Sequence, residues 1–190
     1  MRYIKLIILA LAFLGTMPSV VHAQGAGIEW YILNEKVVEL YRAGKYDHAM
    51  IVAQKALQVA EQNVGPNHPD VAESLNNLAE LYHTQGDYAK AEPLYKRSLA
   101  IKEKALGPNH PSVATSLNNL ALLYHTQGDY AKAEPLYKRS LAIWEKALGP
   151  YHPDVATSLE NLAALYRKTK RGSAANALEQ RAAKIRAIKR

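Results

Sequence analysis

The sequence predicts an all-α solenoid built from about four antiparallel helix hairpins, and three observations carry that prediction. The nineteen letters LYHTQGDYAKAEPLYKRSL at Leu81–Leu99 return unchanged at Leu123–Leu141, forty-two residues later. Gly65-Pro66-Asn67-His68-Pro69 returns as Gly107-Pro108-Asn109-His110-Pro111 and again as Gly149-Pro150-Tyr151-His152-Pro153. Between these marks the apolar residues recur at spacings of three and four, the period of a helix buried on one side. A fixed period in this range is the mark of a stacked array.

The first element is residues 1–23. Arg2 and Lys5 make a short basic start, Leu6–Leu14 is an unbroken apolar run, and Gly15 and Pro18 break it. Val21-His22-Ala23 offers the small or aliphatic residues that a signal peptidase reads, so a secretory leader cleaved after Ala23 is expected. An uncleaved anchor is the alternative, but nine apolar residues are short against the ~20 that span a bilayer. With no cysteine in the chain, lipid modification at the cleavage point is excluded and stability must come from packing without disulfides. No other segment is long and apolar enough to cross a membrane.

Residues 24–64 read as a linker and a divergent first hairpin, which shares Leu33, Gly44, Tyr46, Ala49 and Leu57 with its successors. Residues 65–106 and 107–148 are near-identical units. They differ only at Asp70/Ser112, Glu73/Thr115, Glu80/Leu122 and Lys102/Trp144. In each, proline suits a first helical position, where its missing N–H is not needed, and the preceding histidine is placed to cap. Val71, Leu75, Leu78, Ala79 and Tyr82 then form one stripe, and Gly86 stops the helix. Asp87 caps a second helix with Ala91, Leu94, Tyr95, Ser98, Leu99 and Ile101 along one side. Pro93 sits inside it, so the Ala89 carbonyl loses its helical partner and a slight bend is expected.

Residues 149–190 form the terminal unit. Lys170 replaces the turn glycine, and Gly172 and Glu179 stand where Tyr130 and Tyr137 stood. A second helix is expected over Ser173–Lys189, with Ala175, Leu178, Ala182, Ile185 and Ile188 as its stripe. A polar outer face is what the end of an array requires, since one hairpin cannot bury both its faces and the last has no neighbour.

Leu75, Leu78-Ala79, Tyr82, Gly86, Ala91 and Tyr95 resemble the tetratricopeptide repeat pattern. The period and the phrase LNNLA.LY..QGDYAKAEPLYKRSLAI..KALGP.HP are similar to the kinesin-light-chain type of that family, which is also abundant in bacterial proteins. Ser98 and Ser140 depart from it, standing where the family usually has alanine. The resemblance implies a right-handed superhelix whose first helices line a concave groove that binds proteins or peptides. It also implies that an asparagine at the positions of Asn77, Asn119 and Asn161 holds the backbone of an extended peptide. An amide suits that task, because it donates and accepts at once.

Catalysis needs reactive groups converging on a pocket, and none do so here. His68, His110 and His152 lie one whole unit apart and cannot share a metal. Ser74, Ser116 and Ser158 have no His/Asp partners at a sensible separation, and no phosphate loop, HExxH or serine elbow appears. The expectation is a non-catalytic scaffold without metal or cofactor. Its candidate peptide-binding residues are Asn76, Asn77, Glu80 and His83 in one unit, Asn118, Asn119, Leu122 and His125 in the next, and Asn161 and Arg167 in the last. Two of the four twin differences, Glu73/Thr115 and Glu80/Leu122, fall on this face.

Charge is unevenly placed. Arg167–Arg190 holds nine Lys/Arg against Glu179 alone, a net of +8, whereas Gln24–Tyr166 holds thirteen basic and sixteen acidic residues, a net of −3. A solvated helix cap accounts for the basic end, and docking to an anionic surface is the rival. No aromatic residue follows Tyr166 to stack on a base, which argues against nucleic acid. The expected partner is a protein or peptide, bound by a monomer or weak oligomer exported to a bacterial periplasm or, as the lesser alternative, secreted by a eukaryote. A structural oligomerisation module is the competing reading.

Overall fold

The computed structural model describes residues 18–188, with side chains from Gly27 onward. The apolar run Leu6–Leu14 lies outside the described residues. Eight helices follow one another: α1 Pro18–Arg42, α2 Tyr46–Val64, α3 Pro69–Thr84, α4 Tyr88–Leu106, α5 Pro111–Thr126, α6 Tyr130–Leu148, α7 Pro153–Lys168 and α8 Gly172–Arg186. There is no strand among the described residues. Val21–Ala23, the expected cleavage point, fall within the backbone of α1.

The helix ends follow from local chemistry. His68, His110 and His152 each accept a backbone N–H two residues on through Nδ1, from Asp70, Ser112 and Asp154 at 3.2, 3.1 and 3.3 Å. Asp87 and Asp129 cap α4 and α6 by accepting the N–H of Lys90 and Lys132. Within each hairpin the turn closes with a six-residue bond, Lys45 N to Leu40 O, Asp87 N to Tyr82 O, Asp129 N to Tyr124 O and Arg171 N to Tyr166 O. This geometry needs a left-handed residue just past the helix. Gly44, Gly86 and Gly128 supply it, and Lys170 adopts it at φ 61° in their place. A lysine there carries strain of about 1 kcal/mol that the three glycine turns avoid.

Successive helices pack as antiparallel pairs, and each pair packs on the next. The core is a series of clusters, each shared between neighbouring hairpins. Ala79, Ala91 and Tyr95 of one unit, Leu120, Ala121, Leu123, Tyr124, Ala133 and Tyr137 of the next, and Leu162 and Leu165 of the last form one buried cluster. Neighbouring hairpins thus cover the apolar side that neither covers alone. The unusual serines have a reason in this packing: buried Ser98 and Ser140 donate across the hairpin to the carbonyls of Ala72 and Ala114, at 2.6 and 2.8 Å.

The last helix departs from expectation. It ends at Arg186, and Ile188, expected in its buried stripe, is 46% exposed. The cause is antiparallel register: the end of α8 passes the start of α7 near Val155 and Ala156, where Ile185 still packs. Beyond that point no helix faces Ile188. Lys189 lies outside the described residues.

A candidate protein-binding groove

The backbones of first helices in successive hairpins approach closely, α1 to α3, α3 to α5 and α5 to α7, whereas those of successive second helices stay farther apart and meet through long side chains. A stack that is tighter along one row than the other curves toward the tight row. The first helices therefore line the inner face, and α2, α4, α6 and α8 the outer one. On the outer side, ion pairs tie successive second helices together: Arg97 to Glu61 at 2.7 Å, Arg139 to Glu103 at 2.6 Å and Arg181 to Glu145 at 2.5 Å.

The asparagines of the inner face pair across repeats. Asn77 Nδ2 donates to Asn34 Oδ1 at 3.0 Å, Asn119 to Asn76 at 3.1 Å and Asn161 to Asn118 at 2.9 Å. The offset is forty-three residues, one more than the repeat, so the second asparagine of each unit reaches back to the first asparagine of the unit before. Asn76 and Asn118 are buried, at 8% and 9% exposure, and their oxygens are satisfied only by this ladder. Asn77, Asn119 and Asn161 are half-buried, and Asn77 and Asn119 line clefts between first helices. Single-chain patterning did not single out Asn34. The signal that could have found it is the Asn-Asn doublet repeated in register, which offers one donor and one acceptor per unit.

Both ends of the ladder are occupied by glutamate. Glu35 stands where Asn77 has its equivalent, and Glu160 stands where Asn76 and Asn118 stand. Arg186 closes the last position, reaching both Glu160 oxygens at 3.1 and 3.0 Å and Thr157 at 2.9 Å.

Three clefts open between first helices. One, of about 260 Å³, lies between α1 and α3, lined by Val37, Tyr41, Asn77 and Glu80 among others. Another, of about 360 Å³, lies between α3 and α5 and brings together Tyr41, Glu80, His83, Tyr88, Tyr95, Asn119 and Leu122. The third, of about 320 Å³, is polar and is lined by Asp70, Glu73, Asn76, Asn77, Lys102, Ser112 and Thr115. All four positions at which the twin repeats differ are represented in these clefts. Asp70/Ser112, Glu73/Thr115 and Lys102 border the polar one, and Glu80/Leu122 border the aromatic one.

The electrostatics of the two clefts are those of partly desolvated charge. Burial lifts the Glu80 carboxyl above its ordinary value, with a hydrogen bond from Tyr41 opposing. Burial also lifts Glu73, against the pull of Lys102 and with the push of Asp70 and Glu35. Burial lowers Lys102, which is 8% exposed and makes no ion pair among the described residues; Glu73 opposes that shift. Burial keeps His83 and His125 toward the neutral form. Their rings lie 5.5 Å from those of Tyr88 and Tyr130, and His83 Nε2 meets Thr126 Oγ1 at 3.2 Å.

Arg167 is drawn away from the groove row. It pairs with Glu179 Oε2 at 2.6 Å and also meets Asn176. The basic end is less free than its composition implies. Arg167, Arg171, Arg181 and Arg186 hold Glu179, Glu134, Glu145 and Glu160 respectively. Arg171 also stacks on Tyr166, and with Lys138 it holds the Glu134 carboxyl down at about 2. The described residues contain no group of three or more His, Cys, Asp or Glu able to hold a metal, and no described helix is long and apolar enough to cross a membrane.

Comparison with known proteins places this architecture. The family model for the tetratricopeptide repeat matches residues 37–104, 98–146 and 112–187. The crystal structure of BtubC (BKLC) from P. vanneervenii is similar, with a TM-score of 0.75 at 27% identity, covering 92% of this chain and 67% of that one. A putative kinesin light chain from Podosopora anserina with nearly identical TPR-like repeats gives 0.73 at 25% identity, covering 88% of this chain and 78% of that one. Among curated proteins, RxLR effector protein SFI4 of Phytophthora infestans (strain T30-4) is 34% identical over 73 residues, 38% of this chain. The match spans about a fifth (21%) of that protein's length. With matches running from residue 37 to residue 187, the chain belongs to the tetratricopeptide repeat family.

Proposed function

We propose that this protein is a non-catalytic adaptor that holds a segment of a partner protein along the inner face of its first helices. Tetratricopeptide repeats are in general scaffolds for protein–protein interaction, and the groove is the finer reading. One observation carries it. Two forty-two-residue units have kept all but four positions alike, and three of the four, Asp70/Ser112, Glu73/Thr115 and Glu80/Leu122, border clefts between first helices in both units. The repeated hairpin frame is shared by both units, so substitutions concentrated on one face point to what that face meets. The half-buried Asn77, Asn119 and Asn161 keep polar capacity toward a bound backbone after making the ladder.

The test exchanges the twins' own residues. Glu80→Leu with Leu122→Glu transposes the two units at a position where each residue is already housed in an equivalent frame. A partner isolated from the native compartment should lose at least about tenfold in affinity for the transposed protein, roughly 1.4 kcal/mol. An outer-face change, Lys104→Glu, should leave binding alone. Equal affinity for wild type and transposed protein, with thermal stability unchanged, removes the groove from the function. The basic, then apolar, start of the chain supports export, and amino-terminal sequencing of the protein from its own cell should begin at Gln24.

A further inference from the structure

The cleft between α3 and α5 contains a carboxylate whose side-chain partner is the neutral Tyr41 hydroxyl, with no counter-charge paired to it among the described residues. Glu80 makes no ion pair among the described residues, and the same position is Leu122 in the next unit and Ala164 in the last. Beside the neutral polar Thr84, Asn119 and Thr126, its surroundings offer rings and apolar carbon, with Tyr88 and Tyr95 from α4 and Leu122 from α5, itself 37% exposed. A charge in such a site is costly to the free protein and gains most from a desolvated counter-charge. The groups facing it do not supply one. Tyr41, which hydrogen-bonds the carboxyl, and Arg42 come from α1; Arg42 lines the adjacent cleft together with Glu80 but makes no ion pair with it among the described residues. His83 is held toward neutrality, and α5 presents Asn119, Leu122 and Thr126. Farther along the same face Glu35, Asp70 and Glu73 add negative charge, opposed by Lys102.

We infer that the anchor of the bound segment is an arginine or lysine side chain, seated in this cleft with its cation on the Glu80 carboxylate and its stem against Tyr88 and Leu122. The inference rests on the groove reading and names the chemistry of its occupant. Aromatic faces attract a cation as the carboxylate does, and a basic side chain has the long apolar stem that a cleft walled by tyrosine and leucine can cover. An acidic segment is rejected by the same carboxylates.

Four capped octapeptides of alanine and serine, differing only in a central arginine, lysine, citrulline or glutamate, test this against the full chain. The readout is titration of the tyrosine ring signals by NMR. The arginine and lysine peptides should move the Tyr41, Tyr88 and Tyr95 signals saturably. Citrulline, of arginine's shape without its charge, should bind about tenfold more weakly, as the loss of a charge-assisted hydrogen bond requires. Glu80→Gln and Glu80→Leu should erase that preference, and the leucine variant carries the residue its twin already accommodates. Failure of the arginine peptide to saturate, or equal binding of that peptide to wild type and Glu80→Leu, overturns the inference. Equal binding of arginine and citrulline peptides, with the ring signals still moving, sinks the anchor and leaves the groove standing. Binding that leaves those rings unmoved sinks both.

Discussion

Residues 65–106 and 107–148 are one hairpin written twice, and they differ in how comfortably each sits in the array. The second unit fills its variable positions with Ser112, Thr115, Leu122 and Trp144, and Trp144 is 6% exposed in a cluster with Val113, Leu117, Val155 and Ile185. The first unit places Lys102 at the tryptophan's position, buried to 8% exposure without an ion pair among the described residues, in a cleft it shares with Glu73. The same backbone therefore carries a settled version and a charged version of itself. The difference teaches that one hairpin frame accommodates either apolar packing or desolvated charge at the same position, and local conflict with stability is how functional sites commonly differ from their scaffolds.

The comparison can be broken most forcefully at its most buried position. Trp144→Lys should destabilise the protein by about 3 kcal/mol, through lost aromatic burial and an unpaired ammonium. Lys102→Trp should do the reverse by a smaller amount. Urea denaturation of both variants decides, and equal effects of the same sign would mean the two sites are not equivalent. Next is the ladder. Asn119→Ala leaves the buried Asn76 oxygen without a donor and should cost about 2 kcal/mol. Adding Asn76→Ala should recover part of that loss, and a double-mutant cycle by thermal melts measures it.

Smaller effects sharpen the comparison. His110→Ala removes one side-chain cap and should cost about 1 kcal/mol, as should His68→Ala, since the caps are alike in both units. Smallest is Glu80→Gln, expected to stabilise by less than about 1 kcal/mol at neutral pH because solvent screens the site. The sign follows from the direction of the shift. Burial raises the folded-state value above 4.5, so the ionised carboxylate penalises the fold above that raised value. The penalty fades as pH falls through it and is gone below the unfolded-state value. Stability curves of wild type and variant should therefore converge in acid, and curves that stay parallel would assign the gain to something other than charge.

Much of the fold was legible because its signals are local. Pro69 and His68 marked the start of α3, Gly86 its turn, Asp87 the cap of α4 and Gly107 its end, and each stands where the sequence put it. What the sequence withheld depends on contacts between units. Periodicity assigns Asn76 to a helix face, yet it cannot say that the next hairpin is displaced by one residue and buries that amide under Asn119. It also listed Lys102 as a substitution on the second helix, while only packing reveals that Lys102 and Glu73 border one cleft. The basic end misled for the same reason. A charge count ignores that Arg171, Arg181 and Arg186 find their acids twenty-six to thirty-seven residues away.

The asparagine ladder has a bearing on how such a molecule lengthens. Every interior unit brings one amide that gives and one that receives, so a copied unit can be spliced between two others and leave no bond unmet. At the far margin Glu160 stands in the receiving amide's place, and each of its oxygens already accepts a bond from Arg186. Insertion between asparagine units preserves the ladder, and the middle is where this chain carries its two nearly identical copies.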